Sequence, residues 1–172
     1  MTRKLLVLSG VLCLFACPIC GQAAQKAKAE LLDAKGAPVG TATFSEKGRG
    51  VQLELKASNL PPGIHGFHIH SVGKCEAPDF KSAGPHFNPT GKQHGWDNPQ
   101  GHHVGDLQNL TVGEDGKATS RFLIMGATLG KGPNSLFHEG GTSLVIHDKP
   151  DDGKTDPAGN AGARIACGVI ER

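Results

Sequence analysis

The chain is predicted to fold as an all-β domain of about eight antiparallel strands, arranged as a sandwich or flattened barrel, on three observations. Glycine and proline together exceed a fifth of the 172 residues, while the hydrophobic fraction is only 37%. That composition suits short strands and tight turns. Several stretches alternate apolar and polar residues with period two, and no stretch shows a convincing helical period or an internal repeat.

The N-terminal residues read as targeting rather than fold. Arg3 and Lys4 precede an apolar run from Leu5 to Ala16, and Gly21-Gln22-Ala23 offers small residues before Ala24. This is the pattern of a signal peptide over residues 1–23, too short and wrongly flanked for a membrane span, with the folded domain over 24–172. Leu14-Phe15-Ala16-Cys17 is also a loose lipobox. Processing there would leave Cys17 lipidated, the one route by which this chain would meet a membrane. Either leader sends the protein out of the cytoplasm, to a periplasmic, cell-envelope or extracellular location.

The strands follow in order. Val51 to Ala57 alternates without a break, and Lys28 to Asp33, Gly40 to Ser45, Ala118 to Ile124 and Thr142 to His147 do so less cleanly. Ile64 to His70, Gly105 to Val112 and Ala163 to Ile170 complete the set. Turn chemistry separates them at Ala34-Lys35-Gly36-Ala37-Pro38, Glu46-Lys47-Gly48-Arg49-Gly50 and Gly113-Glu114-Asp115-Gly116. From Ser71 to His102 there is no periodicity, only glycine, proline, asparagine and aspartate with scattered histidines. So long a loop needs something other than a sheet ladder to order it.

Cysteine usage supplies one such tether. Cys13, Cys17 and Cys20 lie in or beside the leader, which leaves Cys75 and Cys167 in the body. Two cysteines in an exported domain pair intramolecularly. A loop of about 92 residues closed in this way is credited with up to about 4–5 kcal/mol by the chain-entropy account. Formal net charge is +2 with interspersed acids and bases. No basic stripe is visible, so nucleic acid is set aside as a partner.

The histidines supply the other tether. In the strand Ile64–His70, alternate side chains share a face, so Phe67 and Ile69 point to the core while His68 and His70 stand together on the outer face. Further histidines follow at 86, 94, 102, 103 and 147, with Asp106 three residues after His103. Imidazole suits zinc and copper, and imidazoles joined by a carboxylate suit zinc. Spacing leaves open how many ions bind and which histidine serves which.

The segments HGFHIH, AGPHFNPTGKQHG, HVGDLQNL, SLVIHDKPDD and GNAGARIACGVI, taken together and in this order, resemble the copper–zinc superoxide dismutase family from residue 65 to 170. The resemblance implies a Greek-key β-sandwich with long metal-binding and channel loops. It also implies copper and zinc as cofactors, superoxide as substrate, and dioxygen and hydrogen peroxide as products. His68, His70, His86 and His147 match the copper ligands, and His86, His94, His103 and Asp106 the zinc ligands, with His86 bridging the two ions. His103-Val104-Gly105-Asp106 fits the family's His-x-Gly-Asp, which favours His103 over its neighbour His102. Arg164 matches the arginine beside the copper channel; with His86, the expected proton donor, it is the candidate catalytic pair. Asp151 matches the aspartate linking a copper-ligating ring to a zinc-ligating one, and His65 a structural histidine. His138 has no ligand counterpart and is read as a surface residue. Lys154 is a candidate for drawing anions inward, although it matches no specific lysine of the family.

The resemblance leaves the subunit interface open, a homodimer included. Two other functions compete with the enzyme: an exported copper/zinc-binding or copper-delivery protein on the same fold, and a purely structural sandwich. The complete ligand set and Arg164 favour the enzyme, and nothing in a structural sandwich accounts for the histidines.

Overall fold

Period-two alternation becomes eight strands, with little other regular structure, in the computed structural model, which describes residues 25–172. The expected leader, with its alternative processing at Cys17, lies outside the described residues. The strands are β1 (Lys26–Asp33), β2 (Pro38–Lys47), β3 (Gly50–Ala57), β4 (Gly63–His70), β5 (Asp106–Val112), β6 (Ala118–Met125), β7 (Ser143–His147) and β8 (Arg164–Val169). Each matches an expected strand to within two residues at either end. All pairings are antiparallel, in the order β5-β4-β7-β8-β1-β2-β3-β6. The end strands β5 and β6 curl towards each other and nearly close the barrel, with Phe67 of β4 packed 5.2 Å from Phe122 of β6. The fold class is therefore as predicted.

Hairpins are set by their turns. Between β1 and β2, the Asp33 carboxylate accepts the N–H groups of Lys35 and Ala37, both at 2.8 Å. Gly36 takes a positive φ of 80° there, which a glycine adopts without strain. The interior is apolar: Leu31, Leu53, Leu55, Phe67, Ile69 and Leu144 are fully buried. Each contributes about 2 kcal/mol by leaving water.

On β4 the alternation fails to show as burial, because both faces are covered. His68 and His70 do lie opposite Phe67 and Ile69, but their face is no solvent surface: they are 0% and 1% exposed. Two long connections cover it, the β4–β5 loop (71–105) and the β7–β8 loop (148–163). The first is stitched to the end of β4 through a ring of backbone bonds. Phe87 N–H donates to Ile69 O (2.8 Å), Ile69 N–H to Gly105 O (2.9 Å), and Gly105 N–H to Phe87 O (2.9 Å). A Cβ on Gly105 would lie 2.3 Å from Ile69 O, so only glycine permits this approach. The second loop docks at Gly66, whose N–H donates to Lys149 O at 2.7 Å.

The expected disulfide forms between Cys75 and Cys167, with Cα atoms 5.6 Å apart. It ties the long loop to β8. Phe80, Ala83, Val145 and Cys167 pack into a small second core beneath it. The loop has one short 3₁₀ turn, Lys81–Ala83.

Candidate metal centre

Four imidazoles meet over the outer face of β4 and β7. His68 and His70 come from β4, His147 from the end of β7, and His86 from the long loop, where a bridge to His70 sets it beside that strand. Each offers one nitrogen, and the four lie within 4.8 Å of one another. His68 Nδ1 and the Nε2 atoms of His70, His86 and His147 are buried with no hydrogen-bond partner.

The opposite nitrogen of each ring is engaged. His70 Nδ1–H donates to Gly84 O at 2.8 Å, and His147 Nδ1 faces Gly162 O at 3.3 Å. His68 Nε2 lies 2.6 Å from Asp151 Oδ2, and His86 Nδ1 lies 2.8 Å from Asp106 Oδ1. These contacts fix each tautomer so that a lone pair faces the cluster.

A second group adjoins the first through His86. The Nδ1 atoms of His86, His94 and His103 lie 2.8, 3.1 and 3.1 Å from a single oxygen, Asp106 Oδ1. The other carboxylate oxygen accepts the N–H groups of Gly95 (3.1 Å) and His103 (3.0 Å), which aims the carboxylate. Three nitrogens and one oxygen around a point, all buried, are the donor set of a closed four-coordinate site. Asp151 spans the groups, 2.6 Å from His68 Nε2 and 3.0 Å from His94 Nε2. It is buried.

Electrostatics sort the rings. Burial, then repulsion from His68, holds His147 down to about 3. Burial, outweighing the Asp106 hydrogen bond, holds His86 down to about 4. His70 is pushed well below its ordinary value by burial and by His86 and Arg164. Neutral at neutral pH, these rings keep lone pairs for a cation. Burial alone would lower His94 too, but Asp106 and Asp151 prevail and raise it to about 9. Both carboxylates sit well below the usual range: burial opposes this, but hydrogen bonds from the surrounding histidines outweigh it. The orphaned nitrogens, neutral rings and anionic carboxylates fit two adjacent metal ions sharing one imidazole.

Arg164 stands at the foot of a funnel of about 390 Å³, lined also by His70, His86, His147, Lys81 and Pro157. Its guanidinium donates to Phe80 O at 2.6 Å and to Gly84 O at 2.7 Å. The lysine on this rim is Lys81, 2.7 Å from Asp79, whereas Lys154 is not among the lining residues.

The remaining histidines separate cleanly. His65 lies between the carbonyls of His147 (2.7 Å) and Pro61 (2.9 Å), a structural place. His102 is exposed, whereas its neighbour His103 is buried and grouped with His86, His94 and Asp106. His138 is not the surface residue expected: it is half-buried and stacks on Phe87 at 5.4 Å. Sequence reasoning also missed two groups. The Phe80 and Gly84 carbonyls carry no side-chain signal. Asn109, which bonds the backbone of Asp151, sits three residues after Asp106, where strand alternation would put it on the opposite face, and the register shift beside it has no sequence signal.

Comparison with known proteins agrees with this geometry. The family description "Copper/zinc superoxide dismutase (SODC)" matches residues 39–170. Superoxide dismutase Cu-Zn 1 of Aquifex aeolicus (strain VF5) is 52% identical over 148 residues, covering 85% of this chain and 88% of that protein. Its second Cu-Zn superoxide dismutase is 53% identical over 147 residues, covering 84% and 86%. Among solved structures, a double mutant of a SOD-like protein from Bacillus subtilis superposes with a TM-score of 0.80 at 43% identity. That match covers 83% of this chain and 95% of the other.

Proposed function

Since this chain belongs to the copper/zinc superoxide dismutase family, we propose that His68, His70, His86 and His147 hold its copper and that His86, His94, His103 and Asp106 hold its zinc. The enzyme converts two superoxide anions and two protons to dioxygen and hydrogen peroxide. The observation that carries the assignment is the convergence of four buried, partnerless ring nitrogens beside a guanidinium fixed by two carbonyls.

When bound, copper supplies a centre that alternates between two oxidation states, and zinc a closed-shell charge without redox chemistry. The chain supplies the rest. Arg164, permanently cationic and with its fork pinned by Phe80 O and Gly84 O, docks the anion at the foot of the funnel. Lys81 adds positive charge at the rim. His86 Nε2, whose lone pair faces the four-imidazole group, would take up a proton when it is not ligating and pass it to the reduced oxygen, while its Nδ1 stays oriented towards the zinc group. Asp151 keeps the His68 and His94 rings at a fixed mutual angle. The two covering loops keep bulk water from the rings except through the funnel.

The charged start and apolar core of residues 3–16, together with the disulfide, support an exported protein. Its address is the periplasm or cell envelope, or the extracellular space. N-terminal mass measurement of the mature protein decides between a start at Ala24 and a lipidated Cys17.

Metal analysis of the purified protein beside a superoxide-consumption assay tests the whole reading. One copper and one zinc per chain with rapid consumption supports it. Both ions bound without consumption would favour the metal-delivery alternative.

A further inference from the structure

Asp151 joins the two metal groups, yet it sits in a loop and not in a strand. Its backbone N–H and C=O make no bond to any other backbone group among the described residues. Both go instead to one side chain. Asp151 N–H donates to Asn109 Oδ1 at 2.8 Å, and Asn109 Nδ2–H donates to Asp151 O at 2.9 Å. Asp151 is only 5% exposed, so without Asn109 two buried backbone groups would lose their partners.

We propose that Asn109 is a positioning residue of the metal centre, clamping Asp151 so that its carboxylate holds the His68 and His94 rings in their ligating orientations. Two antiparallel hydrogen bonds, one to the peptide group before Asp151 and one to the group after it, fix rotation as well as position, which a single bond would not. The clamp springs from β5, three residues after Asp106, and β5 is paired with β4 so that Asp106 lies opposite His68. The β4–β5 register shifts between His65 and Phe67, opposite Gln108 and Asn109, so the same strand pair carries a ligand of each group and, at its irregularity, the anchor of the carboxylate between them. Gly153 N–H, at 2.7 Å from Asp151 Oδ1, completes the carboxylate's setting from the loop side. The inference rests on reading His68 and His94 as ligands of two different ions.

The test compares the parent with Asn109→Ala, Asn109→Asp, Asp151→Ala and the Asn109→Ala/Asp151→Ala pair, each loaded with copper and zinc. Val51→Ala, a buried change on β3, is the control for lost stability alone. Two readouts are taken: zinc release to a chelating dye, and the electron paramagnetic resonance line shape of bound Cu(II). Removing a residue that orients a ligand costs about tenfold or more in metal affinity. Asn109→Ala is expected to release zinc about tenfold faster and to alter the Cu(II) line shape. In the Asp151→Ala background the same change should have no further effect. Asn109→Asp, which keeps the acceptor for Asp151 N–H, should recover part of the parental spectrum, and it carries the test should Asn109→Ala not fold. Zinc release and line shape unchanged from Val51→Ala at equal loss of melting temperature overturn the proposal. A parent chain that fails to bind both ions overturns the ligand assignment itself, a separate result.

Discussion

Stripped of both metals, the protein should be most stable near pH 6.5 and less stable on either side. His86 and His147 have ordinary values of 6.5, and in the fold they fall to about 4 and about 3. Below pH 6.5 the unfolded chain takes up protons that the folded chain refuses. Their contribution is therefore intact above pH 6.5 and is lost as pH falls towards 3–4. At about 1.4 kcal/mol per unit, acidification from pH 6.5 to 5 costs about 2 kcal/mol for each ring. Together that is a large part of the ~5–15 kcal/mol that holds a typical domain folded. His94 has the opposite sign. Raised to about 9, its contribution is complete below pH 6.5 and disappears as pH rises through 9, a loss of about 3 kcal/mol. Asp106 and Asp151, both held well below the usual carboxylate range, steepen only the acid limb below about pH 4. Urea unfolding of metal-stripped protein from pH 4 to 9.5 measures the curve. A midpoint that is flat from pH 5 to 8, or that rises steadily to pH 9, would refute the charge states assigned to these rings. Adding zinc should remove the alkaline limb, because His94 then gives its Nδ1 to the ion instead of keeping a proton.

Three further outcomes follow from the same geometry. His147→Ala should abolish superoxide consumption but leave one zinc equivalent bound, since His147 belongs to the four-imidazole group alone; metal analysis and a dismutation assay check both halves. Arg164→Ala should lower kcat/KM at least about tenfold, with Lys81→Ala a smaller loss, and both should flatten the dependence of rate on ionic strength; steady-state rates across a salt series show it. Gly105→Ala, whose Cβ would meet the Ile69 carbonyl, should destabilise the fold by about 1–3 kcal/mol through sterics alone and weaken zinc retention; thermal melts with and without a chelator measure it.

The strands were legible because alternation reports a half-buried face directly, as in Val51–Ala57. β4 was the exception in burial but not in register: a strand covered on both faces cannot show a solvent face, whatever its sequence. Pairs of residues separated by two on one strand were equally readable, which is why His68 and His70 could be set side by side. What resisted reading depends on backbone groups and on loops. Arg164 is held by the carbonyls of Phe80 and Gly84, which any residue type could supply. Lys81 reaches the funnel because a 3₁₀ turn places it there, and that turn has no periodic signature. His138 looked like a surface residue because its partner, Phe87, is 51 positions away and meets it only when both loops fold.

The long loop does more than deliver His86 to the metals. Gly84 O accepts hydrogen bonds from both His70 Nδ1 and Arg164 Nη2. One carbonyl therefore sets a ligand's tautomer and the aim of the anion-docking guanidinium together. The arginine's other anchor, Phe80 O, belongs to a residue that is 1% exposed and packs against Cys167 and Val145. The Cys75–Cys167 bond ties this segment to β8, the strand that Arg164 begins. Substrate docking and metal orientation are thus fixed by one stretch of backbone, residues 75–86. It is tethered by the disulfide at one end and by the ring at 86 at the other. Loosening either tether should disturb both functions together, before the barrel itself gives way.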